Sequence, residues 1–371
     1  MKVLVTGSEG FVGKNLIVRL GELENFEVVK FSRQIPENEL PTLVADIDAV
    51  VHLAGVNRPP APEDFTAGNA GLTEKLSKAL ADSGRHVPVI FSSSTQAALN
   101  NHYGNSKHDA EKTLRIYAAK TGASVYVYRL PNVFGKWCKP NYNSAVATFC
   151  HNISHDLPVK VNDSKAALTL VYVDDVVDEF VRVLRTMPPV GVEEFCRVPV
   201  EYTTTVGELV RQIEDFRNCR SSNLVSERVG TGLVRALYAT YVSYFSPSKF
   251  SYNLPRHGDE RGVFVEMLKT PDCGQFSYFT AHPGVTRGGH YHHSKTEKFL
   301  VIKGSARFGF RHIVTNESYE IRTSGELPQV VETVPGWTHD ITNVGEDELV
   351  VMLWANEIFD RARPDTIACK V

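Results

Sequence analysis

The stretch from Gly288 to Gly304, GGHYHHSKTEKFLVIKG, and the later Pro335-Gly336-Trp337-Thr338-His339 concentrate imidazole and carboxylate side chains. Residues two apart on a strand project to the same side, so His290 and His292 face together while His293 turns away. Glu297 begins the next apolar run after a short turn, and His339 returns from a distant one. Imidazoles with one carboxylate suit a divalent ion such as zinc, iron, manganese or nickel. The predicted ligand set is His290, His292, Glu297 and His339, with zinc as first choice.

A second group with chemical potential lies upstream. In Tyr103-Gly104-Asn105-Ser106-Lys107 one helical turn puts the phenol and the ammonium on the same face. A lysine there is expected to stabilise the phenolate and draw its pKa toward the working range of an acid–base catalyst. Ser92-Ser93-Ser94-Thr95 closes an apolar run, where a hydroxyl can hold a carbonyl oxygen. Near the start, Gly7, Gly10 and Gly13 surround Phe11 and Val12 in TGSEGFVG, after the run KVLV. Gly7 and Gly10 allow the backbone to approach a pyrophosphate, Gly13 allows close helix–strand packing, and the helix start offers free N–H groups. Phe31-Ser32-Arg33 ends the second run without the acidic residue that holds a ribose 2′-hydroxyl, so Arg33 is expected to pair with a 2′-phosphate and favour NADPH.

These groups need elements to position them. KVLVT, EVVKFS, AVVHLAG, PVIFSSS and SVYVYRL are continuous apolar runs, as in parallel strands buried on both faces. Amphipathic helical patterns alternate with them, which predicts an α/β doubly wound sheet of Rossmann type. Past Ser246-Pro247-Ser248 short alternating strands follow, including QFSYFTA, EKFLVIKG, ARFGFRHI and ELVVMLWAN, and these predict an antiparallel jelly roll. The expected domains are 1–245 and 246–371, consistent with 371 residues being too many for one ordinary core. A net charge of -3 without a basic run argues against nucleic acid, and no run of about 18 apolar residues argues for a membrane span. Six scattered cysteines without a CxxC pair fit reduced thiols in the cytoplasm.

TGSEGFVG, VVHLAG (Val50 to Gly55), Asn69, FSSST, YGNSK, YRLPNVFG (Tyr128 to Gly135) and YVDD (Tyr172 to Asp175) together resemble the extended short-chain dehydrogenase/reductases that act on nucleotide sugars. The resemblance implies Tyr103 as general acid, Lys107 holding the ribose, Ser94 on the substrate oxygen with Ser93 and Thr95 as alternatives, Leu53 and Ala54 along the cofactor, and Asn132 on the sugar. Two features depart from the family. Gln96-Ala97 stands where its dehydratases carry an Asp-Glu pair, and the stretch from Arg33 to Asp48 leaves little room for a third strand and helix.

Gly284-x5-His290-x-His292-x4-Glu297-x6-Gly304 is similar to the cupin signature, although Pro335 stands directly before Gly336 where one residue usually intervenes. DERGVFVEML (Asp259 to Leu268) resembles the entry to the sugar-nucleotide 3,5-epimerases, where an arginine like Arg261 serves nucleotide phosphates. With KWCKPNYNSAVATFC and WANEIFD, the whole chain resembles the bifunctional UDP-sugar epimerase/reductases of the UDP-N-acetyl-L-fucosamine pathway, which serve capsule and O-antigen synthesis. That resemblance implies a UDP-2-acetamido-2,6-dideoxy-L-hexos-4-ulose, epimerised at carbon 3 in the cupin domain and then reduced with NADPH to UDP-N-acetyl-6-deoxy-L-talosamine. It also implies a homodimer. The alternative is a 4-epimerase that retains NAD and carries the cupin for dimerisation or structure.

Overall fold

The computed structural model describes residues 1–61, 63–190, 195–222, 229–254, 257–259, 262–264, 275–357 and 362–371. Arg261 lies outside them. Five strands, β1 (Lys2–Thr6), β2 (Glu27–Phe31), β3 (Ala49–His52), β4 (Val89–Ser94) and β5 (Val125–Leu130), form a parallel sheet in the order β2-β1-β3-β4-β5. Val3, Leu4, Val50, Val51, Val89, Ile90 and Phe91 are almost wholly buried, because helices cover both faces of such a sheet. The doubly wound expectation is therefore borne out, with one curtailed crossover. Between β2 and β3 there is only a 3₁₀ turn at Glu37–Glu39 and a helix of Leu40–Leu43. Leu40, Val44 and Ile47 close the core there in place of a longer helix.

The helix His102–Thr121 carries the Tyr103 group. Asn101 starts it by accepting the Gly104 N–H at 2.7 Å, and Gly122 ends it in the left-handed conformation at φ 76°. Two short parallel strands, β6 (Asn132–Phe134) and β7 (Ala167–Tyr172), with β8 (Tyr202–Thr205), make a second small sheet.

The remaining strands are β9 (Ser251–Asn253), β10 (His257–Asp259), β11 (Gly262–Phe264), β12 (Gln275–Ala281), β13 (Thr286–Tyr291), β14 (Glu297–Lys303), β15 (Ser305–His312), β16 (Ser318–Ser324), β17 (Gln329–Glu332), β18 (Trp337–Asn343), β19 (Leu349–Ala355) and β20 (Ile367–Ala368). Two antiparallel five-stranded sheets, β12-β19-β14-β17-β9 and β16-β15-β18-β13-β20, give the expected jelly-roll architecture. Their alternating apolar residues, among them Phe308, Phe310, Ile341, Val351 and Trp354, are buried between them.

Compactness does not follow one cut in the chain. Met1–Phe134, Tyr142–Ser144 and Leu168–Thr203 form one unit; Gly135–Asn141, Ala145–Ala167 and Thr204–Val371 form the other. The helices Ala145–Ser154, Val206–Ser222 and Gly232–Val242 thus belong with the jelly roll. No helix among the described residues is long and apolar enough to cross a membrane.

Candidate functional site

In the first unit, Gly7 follows β1 at φ 66°, and a side chain on it would meet the backbone nitrogen of Ala54 at 2.7 Å. A Cβ on Gly13 would lie 2.3 Å from the Gly7 carbonyl oxygen, so the helix Phe11–Gly21 can seat against β1 only with glycine there. No side chain caps that helix at Gly10, which leaves its first N–H groups available to an anion. Phe11 and Val12 open the helix half-buried. Leu53 and Ala54 leave β3 half-buried, both N–H groups donating to Thr6 Oγ1 at 3.1 Å. Arg33 stands exposed two residues beyond β2. This bare, close-set cradle suits a dinucleotide.

At the end of β4 the two serines do different things. Ser93 donates to the buried carboxylate of Glu111, which Arg129 also holds at 2.7 and 3.0 Å. The Ser94 hydroxyl lies close enough to the Tyr103 phenol to draw its pKa down, and it accepts from the Gln96 N–H at 3.2 Å. The structure therefore brings Tyr103 and Ser94 together and commits Ser93 elsewhere. Buried Lys107 donates to the Ser92 carbonyl at 2.7 Å and lies 4.7 Å above the Phe91 ring. Burial pushes its pKa down to about 8, with the Glu111 charge opposing. Tyr103 departs from the sequence expectation: burial raises its pKa, and the neighbouring Ser94 hydroxyl only partly offsets this. The phenol is thereby kept protonated, the form that can give a proton. Asn132 is exposed on β6, its amide donating to the Thr169 carbonyl at 3.1 Å.

Two residues here escape a reading of the sequence. Glu111 is one turn beyond Lys107, a spacing that alone cannot distinguish a surface charge from a buried one. His52, in VVHLAG, is buried between Thr6 Oγ1 at 2.7 Å and Thr73 Oγ1 at 2.8 Å, and burial drives its pKa to about 3. It is a neutral pin between strands and helix.

The second unit gathers His290 from β13, His292 just after it, Glu297 from the first position of β14 and His339 from β18. His290 and His339 are paired across the two strands. One ligand atom from each of the four residues lies within 4.8 Å of every other. His292 Nε2 is 3.2 Å and His339 Nε2 3.6 Å from Glu297 Oε2. Burial, then the neighbouring imidazoles, pushes His290 down to about 3, and burial also lowers His339. Burial by itself would raise Glu297, but His292, His339 and Lys295 outweigh it and hold the carboxyl well below the usual range. Neutral imidazoles beside an ionised carboxylate are the forms that ligate a cation. Both ring nitrogens of His339 are buried without a hydrogen-bond partner among the described residues, so the donor set fits a divalent ion. Lys295 Nζ, 2.9 Å from Glu297 Oε1, is a neighbour that the motif spacing does not announce.

A nucleotide-binding type of β/α sheet and a histidine-bearing jelly roll in one chain define the protein's class. Residues 3–192 match the NAD dependent epimerase/dehydratase family, and residues 257–367 match the polysaccharide biosynthesis C-terminal domain. The chain belongs to the NAD dependent epimerase/dehydratase family, which implies a nicotinamide cofactor. It is 58% identical over 371 residues to a UDP-2-acetamido-2,6-beta-L-arabino-hexul-4-ose reductase of Pseudomonas aeruginosa, covering 100% of this chain and 99% of that protein. The crystal structure of the capsular polysaccharide assembling protein CapF from Staphylococcus aureus superposes with a TM-score of 0.69 at 41% identity, covering 100% of both chains. An NAD-bound UDP-glucuronic acid 4-epimerase from Bacillus cereus, at 18% identity and a TM-score of 0.57, shares the fold over 66% of this chain and 96% of that one. The expected kinship with a reductase fused to a cupin is borne out.

Proposed function

We propose that this chain reduces the 4-keto group of a UDP-2-acetamido-2,6-dideoxy-L-hexos-4-ulose with NADPH, after inverting carbon 3 of the same ketosugar at the jelly-roll cluster. The observation that carries the reductase reading is that the Ser94 hydroxyl, at the end of β4, acts on the Tyr103 phenol, with buried Lys107 one turn further along the helix. The full-length likeness to the Pseudomonas aeruginosa reductase supports the substrate class.

Ser94 donates to the carbonyl oxygen at carbon 4, and Tyr103 gives that oxygen its proton as negative charge develops. Lys107, on the same helix face, orients the ribose and restores the phenolic proton. The Gly7–Gly13 turn would hold the pyrophosphate of a reduced nicotinamide dinucleotide, which would supply the hydride. Arg33, with no carboxylate at the end of β2, favours a 2′-phosphate and hence NADPH. Arg261 and Asn132 are the candidate contacts to the nucleotide and the sugar.

A ketone at carbon 4 acidifies the hydrogen on carbon 3, because the carbanion delocalises as an enolate. His290, His292, Glu297 and His339 would hold a divalent ion, zinc by the ligand set, which would stabilise the oxygen's developing charge. Reduction removes the ketone and with it that acidity, so inversion must come first. The test is NMR of UDP-4-ketosugars with the enzyme in deuterated water. Without NADPH, deuterium should enter carbon 3. With it, one NADPH should be consumed per carbonyl lost. Failure to oxidise NADPH with any such ketone would overturn the reading, and tightly held NAD without net consumption would favour a 4-epimerase.

A further inference from the structure

The turn joining His292 to Glu297 is built around a carboxylate that comes from a distant part of the chain. Asp365 Oδ1 accepts the His293 N–H at 2.7 Å, and Oδ2 accepts the Ser294 and Lys295 N–H groups at 2.7 Å each and the Ser294 hydroxyl at 3.0 Å. Four donors thus converge on one carboxylate, close to its full accepting capacity. The main-chain carbonyl of the same residue contacts His292 Nδ1. A carbonyl oxygen only accepts, so Nδ1 carries a proton; Nε2 reaches the Glu297 carboxylate as a donor, and an ion taking the place of that proton would meet the imidazole lone pair at Nε2. Nε2 is the nitrogen that faces Glu297, at 3.2 Å.

The segment bearing Asp365 is itself fastened along the ligand strand. His290 pairs with Ala368 and Tyr291 with Ile367, and the Cys369 N–H donates to the Gly289 carbonyl at 2.8 Å. One short segment thus touches the strand that carries His290, the tautomer of His292 and the turn that delivers Glu297.

We propose that Asp365 is a positioning residue of the His290–His292–Glu297–His339 centre, setting the lone pair of His292 and the reach of Glu297 toward a divalent ion. The inference rests on the metal reading above. Removing the carboxylate leaves three backbone N–H groups without their acceptor and frees the turn, and in Asn an amide N–H₂ faces donors instead of accepting from them.

Metal-free full-length protein is titrated with Co²⁺ against a chromophoric chelator, with the visible ligand-field band recorded alongside. Asp365→Asn is expected to weaken Co²⁺ binding by about 10–100-fold, the usual range for groups that orient metal ligands, and to alter the band. NADPH affinity should stay unchanged. A purely structural role would lower the melting temperature of the metal-free protein but leave the affinity and the band as in wild type, and that result overturns the proposal. Should Asp365→Ala not fold, the isosteric Asn variant still decides. Wild-type protein that binds no Co²⁺ would instead overturn the metal reading itself.

Discussion

Ser93 and Ser94 are adjacent in β4, yet Ser93 is spent on the buried Glu111 carboxylate while Ser94 acts on the Tyr103 phenol. Alternation along a strand sends the two hydroxyls to opposite faces, one into the protein and one toward the candidate substrate position. Their replacements should therefore fail in different ways. Ser94→Ala is expected to lose about 10²–10³ in kcat, as for removal of one oxyanion donor, and in stability only the capping bond to the Gln96 N–H, about 0.5–2 kcal/mol. Ser93→Ala is expected to retain chemistry but lose about 1–3 kcal/mol, because a buried carboxylate gives up a donor. Denaturant unfolding and single-turnover NADPH oxidation on both variants separate the two effects.

Lys107 gives the reductase its expected pH dependence. Its pKa falls to about 8 on burial, with Glu111 opposing that fall. The ammonium is the form that donates, so activity should be full below pH 8 and decline as pH rises through it. Stability runs the other way. The folded-state pKa lies below the ordinary lysine value of 10.5, so the unfolded chain binds more protons between pH 8 and 10.5, and this group's contribution to stability improves across that window. Glu111→Gln removes the opposing charge and should shift the alkaline limb of kcat/KM to lower pH. An unmoved limb would assign it to another group.

Gly13 tests the cofactor cradle. The Cβ of Gly13→Ala would sit 2.3 Å from a backbone oxygen of Gly7, which cannot swing aside as a side chain would. The helix must shift away from β1, at about 1–3 kcal/mol for overpacking. NADPH affinity should fall with it, measurable by fluorescence titration. Gly21→Ala, at the far end of the same helix with open space around it, should leave affinity alone and serves as the control.

What can be read from the sequence is whatever is encoded locally. Continuous runs such as KVLVT mark parallel strands, and the alternation of His290 and His292 with a following Glu297 marks a candidate ligand set whose atoms the fold brings within 4.8 Å of one another. The short Arg33–Asp48 stretch correctly announces a curtailed crossover. Long-range relationships are not legible. Asp365 is 72 residues from the His293 N–H it accepts, and no spacing rule links them. The direction of the Tyr103 shift is likewise hidden, because four-residue spacing to Lys107 suggests a lowered pKa whereas desolvation, a property of the packed surroundings, raises it.

His339 provides the sharpest test of the jelly-roll cluster. Both of its ring nitrogens are buried without a hydrogen-bond partner among the described residues, an arrangement costly to maintain unless an ion takes up that capacity. If so, His339→Ala should reduce bound metal, read by elemental analysis, and abolish deuterium entry at carbon 3, while NADPH still binds at the Gly7–Gly13 turn. Chelation of the wild-type protein should reproduce the loss, and added divalent ion should restore it only where His339 is present. Were the cluster merely structural, exchange would survive in any variant that remains folded. A metal requirement confined to stability would then leave the inversion at carbon 3 without a site in this unit.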